Sequence, residues 1–332
     1  MMKTIKSLLL ILLITSSFQS RSQNCCSGGV PMAGNLGLPA GESGSWQISV
    51  NYDLNLLRTL KEGTRTLELT TIDRLRTTQS ALLSIGYNFT PRISLESFIS
   101  YVRQARTITN NQLGTREFTY AQGLGDAALL VKYRVTAPAN TGHIWQIGAG
   151  VKFPTGPSDQ RRPDGIALSM DLQPGSGSWD GLFWTRYTHY FSFRPSMSFT
   201  ANAAYSLRGT NPSYLETQTF QIGDDFQVLA GVADRFQIKG LIADPSISLR
   251  FRIAERDLNN GEELTNTGGA WIFWVPGFSL LITPSISWQS TIDIPLYAHI
   301  KGTQLTPSFR LNTGFFFQIN SANNEDKLNI FE

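Results

Sequence analysis

The stretch WQISVNYDL, residues 46–54, alternates strictly: Trp46, Ile48, Val50, Tyr52 and Leu54 fall on one side, Gln47, Ser49, Asn51 and Asp53 on the other. A period of two marks a strand with one apolar face. The rhythm returns in ALLSIGYNF (81–89), GLGDAALLVKYRV (123–135), HIWQIGAGVKF (143–153) and MSFTANAAYSLR (197–208). It returns again in SISLRFRI (246–253), SISWQSTIDIPL (285–296) and PSFRLNTGFFFQI (307–319). Weaker runs at 92–103, 179–191, 224–234 and 270–282 bring the total to about twelve strands, close to the ten-residue period of membrane barrels. No capped amphipathic helix interrupts them.

The connections alternate as well. Proline turns at Thr90-Pro91, Ala137-Pro138, Arg194-Pro195 and Thr283-Pro284, with a slightly longer one near Lys239-Pro245, are short. Between them lie long polar segments at 55–78, 104–122, 154–176, 209–223, 256–269 and 298–306. This layout predicts an all-β, antiparallel up-and-down transmembrane barrel of about twelve strands, with short periplasmic turns and long extracellular loops. Ile166–Leu172 is also strand-like, and an even strand number assigns it to an outer loop.

A soluble β-sandwich would alternate in the same way, with its apolar face as a core. Composition separates the two. The polar face is rich in Gly, Ser, Asn, Gln and Thr with spaced charges, as a wet lumen requires, and it lacks the Lys/Glu coat of a soluble surface. Aromatic residues such as Trp46, Phe89, Trp145, Phe153 and Phe317 lie near strand ends, where interfacial girdles form.

The N-terminal MMKTIKSLLLILLITSSFQSRSQ reads as a secretory signal over 1–23: two lysines, a short apolar run, then small and polar residues. Removing it takes Lys3, Lys6 and Arg21 from the 28 bases and leaves them equal to the 25 acids. A neutral mature chain has no electrostatic footprint for nucleic acid. Residues 24–45 then form a Gly/Pro-rich leader or plug, 46–320 the barrel, and 321–332 a polar tail; the protein is expected in the outer membrane, against its lipid. The two cysteines are the neighbours Cys25 and Cys26, which close no useful loop. A lipid anchor, an inert vicinal disulfide and a Cu(I) site made by two thiolates all stay open for them.

GLGDAA satisfies the G-x-G-x-x-[GA] fingerprint of dinucleotide-binding loops. That fingerprint must follow a strand and open a helix, whereas this one follows a polar segment and opens a strand. Gly123 and Gly125 are expected instead to let the chain turn sharply into the barrel wall with positive φ. Nor does catalysis have a foothold. His143, His189 and His299 show no metal-ligand spacing, and PGSGSWD lacks the second glycine of a nucleophile elbow. The protein reads as no enzyme.

In order along the chain, GLGDAALLVKYRV, GAGVKFPTG (148–156), GSGSWD (175–180), VPGFSL (275–280) and IPLYAHIKGTQLTPSFRLNTGFFFQI (294–319) resemble the motifs of the "meta-pathway of phenol degradation" outer-membrane family. The resemblance covers the chain from about residue 80 onward. It implies an outer-membrane β-barrel passing small molecules, aromatic or hydrophobic ones among them, and it brings no catalytic residues.

On the inferred lumen face the selectivity candidates are Lys132, Arg134, Lys152, Arg250 and Arg252, with Glu96, Asp126 and Asp293 as acids. Asp53, Arg186 and Arg310 share that face, so bases outnumber acids there. Rings of charge set what enters a pore. A channel or transporter for small solutes is therefore the expectation, with a copper-handling protein using Cys25 and Cys26, or a non-conducting structural barrel, as alternatives.

Overall fold

The computed structural model describes residues 42–320, apart from 69–70, 139–141 and 239. The signal segment, nearly all of the leader with Cys25 and Cys26, and the tail lie outside the described residues. Twelve strands form the wall: β1 (Trp46–Glu62), β2 (Ile72–Asn88), β3 (Ile93–Asn110), β4 (in two pieces, Thr115–Leu124 and Ala127–Arg134), β5 (His143–Phe153) and β6 (Asp180–Phe191). The other half is β7 (Arg194–Leu207), β8 (Asp225–Asp234), β9 (Leu241–Ala254), β10 (Gly269–Thr283), β11 (Ile286–Ile300) and β12 (Thr303–Ile319). Each pairs antiparallel with the next, and β1 pairs with β12 from Trp46↔Ile319 to Glu62↔Thr303, so the sheet closes on itself.

Closure and parity decide the faces. Along β4, Leu129, Val131 and Tyr133 are exposed while Ala128, Leu130 and Lys132 are buried. The exposed series continues through Val50, Leu83, Ile99, Ile147, Phe183, Leu249 and Trp274 as an apolar band around the wall. Such a band has water-free hydrocarbon as its natural solvent, and a closed sheet is one of two backbone solutions there. This is an outer-membrane β-barrel. At the short-turn end Tyr87 meets Trp46 at a tilt and Phe89 edge-on, with centroids 4.6 and 4.9 Å apart; near the other rim Phe153 meets Trp179 at 5.2 Å.

Two expectations need correcting. Segments 55–78, 104–122 and 298–306 are not loops for most of their length, because β1 runs to Glu62, β2 starts at Ile72, β3 and β4 join at 111–114, and β11 and β12 join at 301–302. Above the membrane both faces of a strand are wet, so alternation fades while the ladder continues. Nor is the inner face uniformly polar. Leu82, Phe98, Leu130, Leu182 and Trp184 point inward and form an apolar cluster.

The face assignment is testable. Val131→Arg should cost about 2–4 kcal/mol in a refolding titration if Val131 lies near the bilayer midplane. Thr200→Ser, on the lumen side of β7, should stay within about 0.5 kcal/mol of wild type. Equal effects would overturn the face assignment.

Candidate functional site: the lumen and its inserted loop

The connection from β5 to β6 leaves the wall at Phe153-Pro154 and turns into the barrel. It forms a small hairpin bridged at Arg161↔Ala167, then a single 3-10 turn over Met170–Leu172. Leu168, Met170, Asp171 and Leu172 are buried. Thus Ile166–Leu172 does belong to an outer connection, but its second half is tucked inside. Asp171 lies 2.9 Å from Arg76 Nη1 of β2, and Arg76 Nη2 donates to Gln104 Oε1 at 2.6 Å and to the Asp171 carbonyl. Gln104 Nε2 donates to the Gln173 carbonyl at 3.0 Å. On the other side Met170 packs with Tyr214, Phe220 and Ile222 of the β7–β8 connection and Leu264 of the β9–β10 connection. Three outer connections therefore close over the lumen together.

The loop is rooted in a buried ionic knot. Lys152 Nζ lies 2.6 Å from Asp126 and 3.1 Å from Asp180, and donates to the Ser178 carbonyl at 3.0 Å and to Ser176 Oγ. Asp126 also accepts from Gly156 N at 3.0 Å and from Ser176 N at 2.9 Å. Asp180 takes Arg208 at 2.8 Å, Ser178 Oγ at 2.9 Å and Gly209 N at 3.1 Å. Two cations thus face two carboxylates, each well supplied with hydrogen bonds, which burial demands of charge.

The knot joins three of the sequence motifs, GLGD, VKFPTG and GSGSWD. Their glycines allow backbone to touch backbone: a Cβ on Gly175 would fall 2.3 Å from the Gly156 carbonyl oxygen, and one on Gly156 would fall 2.7 Å from that of Leu124. Gly177, at φ +70°, lies against Asn211. Gly123 and Gly125 are not in the positive-φ region, contrary to expectation. Gly125 N donates to the Ser100 carbonyl at 2.8 Å, and the chain passes Gly125 and Asp126 with a local break in the β4 ladder.

The remaining candidates lie at several levels. Lys132 is 2.8 Å from Glu96, Arg250 3.1 Å from Asp293, Arg252 2.6 Å from Asp225, and Arg310 2.8 Å from Asp53. Lys132 also lies over the Trp184 ring and Arg252 over the Trp271 ring, at 5.7 and 5.2 Å. Arg134 is at the short-turn end, where it donates to the Pro138 carbonyl at 3.3 Å. Asp171, Asp180 and Asp225 were missed by the pattern. Two open a strand before its alternation is established, and the third sits in a loop. The motif ending in Asp180 was the only available hint.

Below the paired charges, toward the short-turn end, the lumen holds a cavity of about 340 Å³. Its upper level is Arg186, Asn202 and Leu229, which are register neighbours on β6, β7 and β8. The next level down is Thr200, Gly231, Ser248 and Val275. Thr200, Gly231, Ser246 and Ser248 are small and leave space on that side.

The histidines do not converge. His143 and His189 are register partners near the short turns, and His299 lies near the opposite end of β11. Among the described residues no three His, Cys, Asp or Glu are grouped to hold a metal.

No family model matches the chain, and no curated protein matches it. Its fold is similar to that of the COG4313 outer membrane channel from Pseudomonas putida F1, with a TM-score of 0.64 over 85% of this chain and 97% of that one, at 14% identity. Looser likenesses are the CymD monoaromatic hydrocarbon channel (TM-score 0.40, 8% identity, 85% and 90% covered) and the Ralstonia pickettii toluene transporter TbuX (TM-score 0.38, 9% identity, 84% and 90% covered). At these identities the first likeness establishes the barrel fold, and the other two add nothing to it.

Two outcomes follow from the knot and the cap. Lys152→Met strands Asp126 in a buried site and should cost about 3–5 kcal/mol, read as early proteolysis of 154–179 before the barrel itself unfolds. Asp257, in the β9–β10 connection, is pushed up to about 6 by burial. Its folded value exceeds the ordinary 3.8, so its contribution is complete below 3.8 and is lost as pH rises through about 6. Amide exchange in the cap should therefore quicken across that window, and Asp257→Asn should flatten the response.

Proposed function

We propose that the protein is an outer-membrane channel for small solutes, with the loop 154–179 as its constriction. One observation carries the reading. A closed barrel keeps a cavity of about 340 Å³ on one side of an inserted loop, and that loop is held by discrete polar contacts to Arg76, Gln104 and the Lys152 knot. A connection that only had to link β5 to β6 needs few residues and no seat inside the lumen. The order of the five motifs supports a place beside the phenol-degradation family, whose resemblance implies passage of small hydrophobic or aromatic molecules. A shared fold with a Pseudomonas putida barrel described as a channel is consistent with that. The charged pairs of the lumen act as the selectivity surface in this reading.

A specific observation also favours a non-conducting barrel: Phe98, Leu130, Leu182 and Trp184 fill part of the lumen where water would otherwise stand. The two readings separate on one experiment. Replacing residues 160–172 by a short Gly/Ser linker keeps the knot and removes the constriction. Conductance in planar bilayers should rise severalfold over wild type. If neither protein conducts nor passes solutes in proteoliposome swelling, although both shift on unboiled gels as folded barrels do, the structural reading holds.

A further inference from the structure

The cavity in the short-turn half of the lumen is lined mainly by alcohols. Ser248 and Ser246 share the inward face of β9 with Arg250, and Thr291 shares that of β11 with Asp293. Ser198 and Thr200 line it from β7. Glycines across the ladder make room for two of these side chains. A Cβ on Gly277 would fall 2.5 Å from Ser246 Oγ, and one on Gly231 would meet Ser248 Oγ closer still.

The charged lining residues stand at the two ends of this space. Arg186 is at the upper level, and at the lower end Asp244 is gripped by Arg235 at 2.8 and 2.7 Å. Beyond the lining, Arg250 and Asp293 hold one another at 3.1 Å. The lining residues on the two rungs between, from Thr200 to Val275 and from Ser198 to Thr291, carry no ionisable group.

Among the described residues the hydroxyls of Ser198, Ser246, Ser248 and Thr291 bond no protein group, and Asn202 Oδ1, on the upper level, is a buried acceptor without a protein donor. Whatever fills the cavity has to satisfy them. A hydroxyl both donates and accepts, whereas a carboxylate only accepts and an ammonium only donates. The partner that matches a field of alcohols is therefore another set of alcohols. Leu229 and Val275 line the same space and offer an apolar side to a carbon skeleton.

We propose that the short-turn half of the lumen binds small neutral polyhydroxylated solutes, their hydroxyls on Ser198, Ser246, Ser248 and Thr291 and their carbon skeleton against Leu229 and Val275. A volume of about 340 Å³ is at the small end for ligand sites, which limits the occupant to a small ring or short chain. The site deepens the channel reading by naming a solute class, and it rests on that reading only for passage. The class comes from the lining and differs from the hydrophobic molecules that the family resemblance implies.

The test titrates the refolded full-length barrel in deuterated detergent with myo-inositol, followed by saturation-transfer NMR, with cyclohexanol and phenol as rings bearing a single hydroxyl. Myo-inositol should bind saturably and each comparator about tenfold or more weaker, because a single hydroxyl leaves the other polar groups of the site unpaired. Ser246→Ala combined with Ser248→Ala should weaken myo-inositol by about tenfold, with unboiled gel mobility unchanged. If that double variant does not fold, Ser198→Ala removes a hydroxyl from the facing strand and should weaken binding in the same direction. Phenol or cyclohexanol binding as tightly as myo-inositol overturns the proposal; so does undiminished binding by the folded variants. Myo-inositol binding without any solute passage in proteoliposomes overturns the channel reading and leaves this site standing. Passage without saturable myo-inositol binding does the reverse.

Discussion

Hydrocarbon offers no hydrogen-bond partner to a peptide group, so a sheet that crosses it must have no edge. Here the requirement is met by one ladder, in which β1 and β12 pair along nearly their full length. The rest follows from that closure. Once the ring is shut, each inward side chain is fixed by parity, and the lumen is too narrow to leave its charges in bulk water. Lys132, Lys152, Arg250, Arg252 and Arg310 accordingly each lie on a carboxylate. Pairing is what an enclosed charge needs before anything can be said of its role.

The distribution of side-chain size then shapes the interior. On one side Phe98, Leu130 and Trp184 occupy the lumen; on the other Gly231, Ser246, Ser248 and Gly277 leave it open. Above both, the inserted loop is not loosely packed filler. Its root is tied through Lys152, its middle through Asp171 to Arg76, and its outer side through Met170 to two further connections. A cap built from three connections can respond to its weakest member, and Asp257, whose carboxyl is pushed up to about 6 by burial, lies in that layer.

Much of the architecture was legible from alternation alone, because side chains of a strand repeat every two residues whatever surrounds them. All twelve strands, their up-and-down order and the outward set Leu129, Val131 and Tyr133 came from that period. The sequence also singled out Lys132, Lys152, Arg250 and Arg252 with Glu96, Asp126 and Asp293 as inward charges. It missed Asp171, Asp180 and Asp225, whose positions at strand ends or in a loop carry no periodic signal.

Only the tertiary structure decided which charge meets which. Arg76 and Asp171 are 95 residues apart, and Arg310 and Asp53 are 257 apart, so neither pair has a local signature. It also decided that loop 154–179 turns inward, since that depends on the break at Gly125 and Asp126 meeting Gly156 and Gly175 from other parts of the chain. Periodicity is a property of one strand and survives in the linear sequence. Charge balance and lumen volume are properties of the closed ring, and they exist only once strands distant in the chain have been brought face to face.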